Sequence, residues 1–156
     1  MTERWLGVVV SGDLVTAVDA EVPDAGPITI QSDQSWPLQL GDRSDAYVVM
    51  AQQVTDFATE NGIDCAVVKE SAVSLGGTKK AHLQSAELRG VVLCALRRAT
   101  EVKLQSKAVI SKTFGERKVD EYLSDSAFWK KECVGANLRV GSREAAMIIL
   151  AARKKK

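Results

Sequence analysis

The sequence predicts a single α/β domain, with a five-stranded mixed sheet, three antiparallel strands at its N-terminus and helices on both faces. The first observation behind this prediction is composition. Of 156 residues, 46% are hydrophobic and 26% are charged, as in a globular domain with one sizeable core. The second is the order of patterns along the chain, β-β-β-α-β-α-β followed by helices alone, without a repeat or a long linker. We expect the domain to cover residues 1–152 and residues 153–156 to form a basic tail.

Three strands are predicted at the start of the chain. Residues 5–10 read WLGVVV, Gly12-Asp13 marks a turn, and residues 14–22 resume with LVTAVDAEV, which together predict a hairpin. A break rich in proline and glycine then precedes a third strand, which begins with PITI and reappears near Trp36. Strands joined by such short connections pair in antiparallel fashion.

Helical spacing begins after Gly41. Apolar residues recur every three or four positions up to Ala58, and Asn61-Gly62 supplies a stop signal, so a helix is predicted over residues 43–60. The apolar run CAVV that follows is typical of a central strand covered on both faces. The remaining predicted elements are a strand at 65–70, a helix at 80–98, a strand at 101–106 and helices at 108–114, 116–131 and 143–153.

Residue counts exclude several kinds of site. Cys65, Cys94 and Cys133 are far apart and form no CxxC pair, so we expect them to be reduced core residues. His82 is the only histidine and is expected to pack partly buried, which argues against a Cys/His zinc site. The chain starts without a signal-peptide pattern, and no apolar run reaches the length of a membrane span. We therefore expect a cytoplasmic protein that does not contact membranes.

Three segments carry a resemblance to a known family. Residues 86–96 read AELRGVVLCAL, residues 106–123 read SKAVISKTFGERKVDEYL, and residues 143–152 read REAAMIILAA. In this order and spacing they resemble segments of the RuvC-type Holliday-junction resolvases. The layout also resembles a small bacterial family of RuvC-like proteins, with a G-V-x-V/I-x-G start and a V-V-x-x-E strand. The resemblance implies the RNase H-like fold for residues 5–152.

The same resemblance implies a catalytic site. In the family, carboxylates on the first strand, the fourth strand and the last helix hold Mg²⁺ or Mn²⁺ for phosphodiester hydrolysis. Glu70 matches the fourth-strand acid and Glu144 the acid of the last helix, so both are candidate catalytic and metal-binding residues. Gly141 stands where a second helix acid often occurs, and Val9 replaces the first-strand aspartate. A carboxylate about 4 Å from a divalent cation is worth roughly 8 kcal/mol at an effective dielectric constant of 20, so this replacement should remove most of the metal affinity.

Three functions remain open at this point. The first is a RuvC-like protein with a degenerate nuclease centre that binds nucleic acid or serves as an interaction module. The second is an active Mg²⁺-dependent endonuclease, in which Asp13 or Asp19 joins Glu70 and Glu144 as the third acid. The third is a structural partner protein without nucleic acid, which pairs with another protein or as a homodimer through one apolar helix face.

Each glutamate also has a purely structural interpretation. Glu70 can be a charged residue that ends a strand at solvent. Glu144 can complement the dipole of the last helix, for which Ser142 is the predicted N-cap.

A DNA or RNA partner would need a local basic patch, because the net charge is only +1. Two lysines follow a glycine loop at residues 76–78 and precede a helix, an arrangement suited to phosphate. Three basic residues flank a second glycine loop at residues 113–115, in the region that approaches DNA in the resolvases. Solvated surface explains both groups equally well. The candidate phosphate contacts are Lys79, Lys80, Lys112, Arg117 and Lys118.

Overall fold

A six-stranded mixed sheet organises the computed structural model, which describes residues 2–72, 79–115 and 117–154. The strands are β1 (Glu3–Ser11), β2 (Leu14–Val22), β3 (Ile28–Pro37), β4 (Cys65–Lys69), β5 (Glu101–Gln105) and β6 (Cys133–Gly135). The helices are α1 (Arg43–Glu60), α2 (Lys80–Ala99), α3 (Lys107–Phe114), α4 (Val119–Leu123), α5 (Ser126–Glu132) and α6 (Arg143–Arg153). A short 3₁₀ turn at Val140–Ser142 precedes α6, and the strand order is β5-β4-β1-β2-β3-β6.

The first three strands form the predicted antiparallel meander. Val8 pairs with Ala17 across β1 and β2, and Gly12 takes the positive φ of 59° that the tight turn between these strands requires. The crossover through α1 then returns the chain so that β4 lies parallel to β1, with Val68 beside Val8. Strand β5 adds in parallel at the outer side of β4.

The sheet has one strand more than the five predicted. The additional strand, β6, pairs in parallel with β3 over only three residues, a length too short to show an alternating pattern. Tertiary contact therefore determines this strand. Gly135 at its end has φ 93°, and a Cβ there would lie 2.7 Å from the carbonyl oxygen of Ile30. Only glycine fits at that position.

Alternation along the strands creates two apolar cores, one on each face of the sheet. Trp5 and Val67 point toward α6, whereas Leu6 and Val68 point toward α1 and α2. We call these sides the α6 face and the α1/α2 face. Residues 145–152 of α6 are all buried, so this helix is the centre of the first core. The prediction of helices on both faces is confirmed.

Helix α6 lies directly on β1 because Gly7 has no side chain. A Cβ built on Gly7 would lie 2.0 Å from the carbonyl oxygen of Ala145 and 2.9 Å from Cγ1 of Ile149. No residue other than glycine can occupy this position without displacing the helix. The contact brings the first turn of α6 close to the strand end where the candidate site lies.

The predicted helix at 116–131 is two short helices in the structure. Leu123 ends α4, and Asp125 then accepts a hydrogen bond from the backbone N–H of Phe128, which starts α5 in a new direction. An aspartate in mid-pattern was thus the cap of a second helix. Trp129 of α5 is buried against the α6 core.

Helix α2 packs on one side only, which corrects two expectations about its residues. Its buried residues are Leu88, Val92, Ala95 and Leu96, whereas His82 and Cys94 are exposed. Cys65 is buried. Cys133 is half-buried, and its own burial together with the charge of Glu132 raises the pKa of its thiol to about 12.

Across the described ranges, no helix has the length and apolar character that a membrane span requires.

Candidate functional site

A cleft of about 640 Å³ opens across the C-terminal ends of β1 and β4. The start of α6 borders it on one side, and the first turns of α2 border it on the other. It therefore extends around the end of the sheet from the α6 face to the α1/α2 face. The lining side chains that bear on function are Val9, Lys69, Glu70, His82, Arg89 and Glu144.

An ion pair closes the α6 side of the cleft. Lys69 Nζ lies 2.8 Å from Glu144 Oε1, and the two side chains are 22% and 21% exposed. Lys69 reaches α6 because it continues the alternation of Cys65 and Val67, which belong to the α6 core. One carboxylate predicted for the site is therefore neutralised by a residue that the sequence did not single out.

Val9 is the neighbour of this ion pair in the sheet. The parallel register pairs Val8 with Val68, so the next residues along the two strands, Val9 and Lys69, stand side by side. Val9 packs against the α6 core. At the point where β1, β4 and α6 meet, this face thus presents a hydrocarbon side chain, an ammonium group and one carboxylate.

Glu70 leaves the sheet on the opposite face. β4 ends at Lys69, and the backbone N–H of the next residue, Glu70, still donates to the carbonyl oxygen of Gln105 at 2.9 Å. The alternation of β4 therefore directs the side chain of Glu70 away from α6. The side chain is exposed and makes no hydrogen bond or ion pair within the described part of the chain. The structure brings Glu70 and Glu144 to one cleft. The residue beside Val9 in the sheet, however, is Lys69, one position before Glu70.

Asp13 and Asp19 are each bound to an arginine and do not line the cleft. Asp13 accepts two hydrogen bonds of 3.1 Å from Arg43 at the start of α1. Asp19 is only 1% exposed and pairs with Arg4 at 2.6 Å, toward the opposite end of the sheet. Neither residue therefore lies beside Glu70 and Glu144 in this structure, and a role for either as third acid stays a prediction.

These positions bear on the magnesium centre that the resemblance implied. Mg²⁺ and Mn²⁺ bind through several oxygen ligands, of which carboxylates supply the neutralising charge. Among the residues that the structure describes, no group of three or more His, Cys, Asp or Glu side chains could hold a metal ion. Of the two described carboxylates that line the cleft with Val9, that of Glu144 is already paired with Lys69, and that of Glu70 follows Lys69 on the other face. The described residues do not fit such a centre.

Arg89 of α2 forms the floor of the cleft on the α1/α2 face. Its Nη2 donates to the carbonyl oxygen of Val10 at 2.7 Å, and its Nη1 donates to the hydroxyl of Ser71. These two bonds hold the ends of β1 and β4 against the helix. Burial lowers the pKa of the Arg89 guanidinium from its ordinary value.

The start of α6 is held by a contact that replaces the predicted N-cap. Ser142 donates its hydroxyl to Asp33 of β3 at 2.5 Å and makes no side-chain cap to the helix. Arg139 donates to the same carboxylate from its backbone N–H and from its guanidinium, at 2.7–3.0 Å. Asp33 therefore positions the turn that carries Glu144.

None of the predicted phosphate contacts lines the cleft. Lys79 and Lys80 are exposed at the start of α2, within one turn of His82, which does line it. Lys112 and Lys118 are exposed on α3 and before α4, whereas Arg117 is paired with Asp125 at 2.9 Å and stacks on Tyr122. The glycine loop at residues 76–78 lies outside the described residues.

Comparisons with known proteins identify the architecture. Neither a protein-family model nor a curated protein matches the chain. Thermus thermophilus RuvC matches with a TM-score of 0.73 and 12% sequence identity, over 97% of this chain and 93% of that chain. The chain has the RuvC-like fold. T. thermophilus RuvC in complex with a Holliday junction substrate matches this RuvC-like chain with a TM-score of 0.72, 10% identity and the same coverages.

A second resolvase gives the same result. The yeast mitochondrial Holliday junction resolvase Ydc2 matches with a TM-score of 0.67 and 12% identity, over 97% of the RuvC-like chain and 78% of that chain. The predicted RNase H-like architecture, with its antiparallel N-terminal strands, is confirmed. At such low identity, the likeness concerns the fold.

Two residues of the RuvC-like cleft were missed from the sequence, Lys69 and Arg89. Counting alternation from the buried Cys65 would have placed Lys69 on the face of Val9, so the signal for this residue was present. Arg89 lies within the segment AELRGVV, which carried only the family resemblance. Its role depends on the ends of two distant strands, which no local pattern reveals.

Proposed function

We propose that this RuvC-like protein binds nucleic acid and does not cleave it through a metal-dependent centre. The observation that carries this proposal is the ion pair between Lys69 and Glu144 beside Val9. Each carboxylate of a metal site attracts the dication, whereas an ammonium group repels it. The ammonium of Lys69 already neutralises Glu144, the acid beside Val9 on this face.

Energetics support the same proposal. Separating Lys69 from Glu144 to admit a cation would leave two partly buried charges to be re-solvated or paired anew, which costs on the order of 3 kcal/mol. Val9 offers no ligand that would offset this cost. Glu70, on the other face, would have to act alone on that side.

The nucleic-acid part of the proposal rests on the fold and on exposed basic residues. T. thermophilus RuvC, whose fold this chain shares, has been seen in complex with a Holliday junction substrate. In the present chain, Lys79, Lys80, Lys112 and Lys118 are exposed, and none of them forms an ion pair within the described residues. Backbone contacts by such residues give affinity that decreases steeply with salt.

The test is a mobility-shift and cleavage assay on a four-way DNA junction, a DNA duplex, a single strand and an RNA duplex. We expect a salt-sensitive shift of at least one substrate and no product with Mg²⁺ or Mn²⁺. The double variant Lys112→Ala/Lys118→Ala should weaken the shift, by about tenfold in 100 mM salt. Metal-dependent cleavage that Glu70→Gln or Glu144→Gln abolishes would establish the nuclease function instead.

An interaction module is the second candidate function, and one surface favours it. Tyr47, Val48, Gly90, Val91 and Cys94 line an almost wholly apolar hollow of about 410 Å³ between α1 and α2. Val48 is 71% exposed beside it. If the protein shifts no nucleic acid in the assay above, binding of a partner protein at this hollow becomes the better-supported function.

A further inference from the structure

Arg89 lines the cleft and has no counter-ion among the described residues. The buried Arg143 shares the lack of a counter-ion and has an unpartnered Nε as well, but it does not line the cleft. Arg4, Arg43, Arg117 and Arg139 each pair with an aspartate. No carboxylate in the described ranges lies within ion-pairing distance of Arg89, although Glu70 and Glu144 line the same cleft. A guanidinium at the floor of a cleft is thus partly buried without a neutralising charge.

The donors of this guanidinium are also incompletely used. Nη1 and Nη2 bond Ser71 and the carbonyl of Val10, whereas Nε is buried without a hydrogen-bond partner among the described residues. Buried cations in proteins are ordinarily paired, because an unpaired charge loses its hydration without compensation. The lowered pKa of Arg89 has the same origin. An anionic ligand in the cleft would supply the missing charge.

We infer that the cleft is a metal-free phosphate-binding site, in which Arg89 supplies the counter-charge on one side and Lys69, already paired with Glu144, supplies further hydrogen-bond donors on the other. This inference rests on the proposed function and names the group of the nucleic acid that would enter the cleft. Guanidinium binds phosphate through charge-assisted hydrogen bonds, and an ammonium group has three donors, of which Glu144 uses one. A volume of about 640 Å³ is in the range of ligand sites.

Glu70 makes the inference distinguishable from a metal centre. In a metal-dependent nuclease this carboxylate holds the cation, and Glu70→Gln weakens the site. In a metal-free phosphate site the same carboxylate lines the cleft as a like charge that repels the ligand. Glu70→Gln should then strengthen binding, by about two- to fivefold for a partly solvated pair of charges.

The experiment measures the affinity of the full chain for a fluorescent four-way DNA junction in EDTA. Lys69→Met should weaken binding about tenfold, because a charge-assisted hydrogen bond is lost, and Arg89→Lys should weaken it about fivefold by losing the guanidinium geometry. Lys130→Met removes the same charge from the exposed surface of α5 and should change affinity by less than about twofold. Circular dichroism checks each fold. If Arg89→Lys does not fold, Lys69→Met and Glu70→Gln still decide.

A second arm titrates inorganic phosphate into the same proteins and follows backbone amide shifts by NMR. Junction affinity that depends on Lys69 and rises with Glu70→Gln supports the inference. Junction binding that responds only to Lys112 and Lys118 overturns the inference and leaves the proposed function intact. Inorganic phosphate that binds in the cleft of a protein that binds no nucleic acid supports the site and contradicts the proposed function. Failure of both ligands to bind contradicts both.

Discussion

Lys69 determines the chemical character of the cleft. It is the last residue of β4, it reaches Glu144 at 2.8 Å, and it stands beside Val9 in the sheet. Replacing one member of such a pair leaves the other without its partner in a partly buried place, so Lys69 and Glu144 depend on each other. Val9, which has no ligand atom, and Lys69, which carries a positive charge, both disfavour a cation at this point.

This interpretation predicts that two substitutions create a metal site. Val9→Asp and Lys69→Glu together would place three carboxylates, with Glu144, around one point of the α6 face. We expect the double variant to bind Mn²⁺ at least about tenfold more tightly than the original protein, because repulsion is exchanged for attraction. Electron paramagnetic resonance of free Mn²⁺ measures this difference directly.

The single variant Val9→Asp is the matched control for that experiment. It retains the ammonium of Lys69, so its Mn²⁺ affinity should stay close to that of the original protein. Equal and tight Mn²⁺ binding by the original protein and the double variant would show that the ion pair is no obstacle to a cation.

At the scale of elements, the contact between α6 and β1 places Glu144 at the cleft. Gly7 allows the helix backbone to touch the strand, where a Cβ would lie 2.0 Å from the oxygen of Ala145. The contact between β1 and α6 is too close to accommodate an extra methyl group at Gly7. The position of the helix, and with it the site, depends on the smallest side chain in β1.

Two glycine substitutions test this contact as a matched pair. Gly7→Ala should lower the free energy of unfolding by about 3 kcal/mol, because the methyl group overlaps backbone atoms of α6. Gly90→Ala lies inside α2, where a Cβ meets nothing within 4 Å, and should raise it by about 0.5–1 kcal/mol through helix propensity. Urea titrations followed by circular dichroism give both values. Shifts of the same sign would contradict the assigned contact.

At the scale of the whole molecule, Asp33 joins the sheet to the segment that leads into α6. The carboxylate is 6% exposed and accepts bonds from Arg139 and Ser142. Burial alone would raise the pKa of Asp33, but the hydrogen bonds from Arg139 and Ser142 together outweigh it, so the pKa lies below its ordinary value. Its contribution to stability is therefore complete above the ordinary pKa, near pH 4, and is lost as pH falls through the lower folded value.

The predicted result is a pH-dependent difference between the original protein and Asp33→Asn. Between pH 5 and 7 the variant should be less stable by about 2 kcal/mol, since a buried charged acceptor of several bonds is replaced. Below about pH 4 the difference should shrink, because the aspartate of the original protein becomes protonated. Urea midpoints measured from pH 7 to pH 3 follow it. A difference that stays constant to pH 3 would contradict the lowered pKa.

The sequence predicted the parts of the molecule that depend on local periodicity. Strands β1 to β5, α1 and α6 follow from alternation or helical spacing, and the RuvC-like order of elements followed from them. Strand β6 was missed because it has only three residues, and their strand conformation depends on pairing with β3 and not on a sequence pattern. In the site, Glu144 was found by resemblance, whereas the role of Lys69 depends on which layer of the sheet its side chain faces. The face of the sheet on which Lys69 lies can be predicted only when the alternation is counted from a residue known to be buried in the core, such as Cys65.

The position of Lys69 has a consequence for recognising enzymes in genomes. An aligned column that holds an acid is commonly accepted as a retained ligand, even when the alignment could slide by a single residue. In a β-strand, a shift of one residue moves a side chain to the other face of the sheet. Glu70 therefore matches the motif in sequence, whereas Lys69 occupies the position beside Val9 in the structure. Surveys of inactive nucleases should therefore score adjacent alignment columns in pairs, according to the face of the sheet on which each side chain lies.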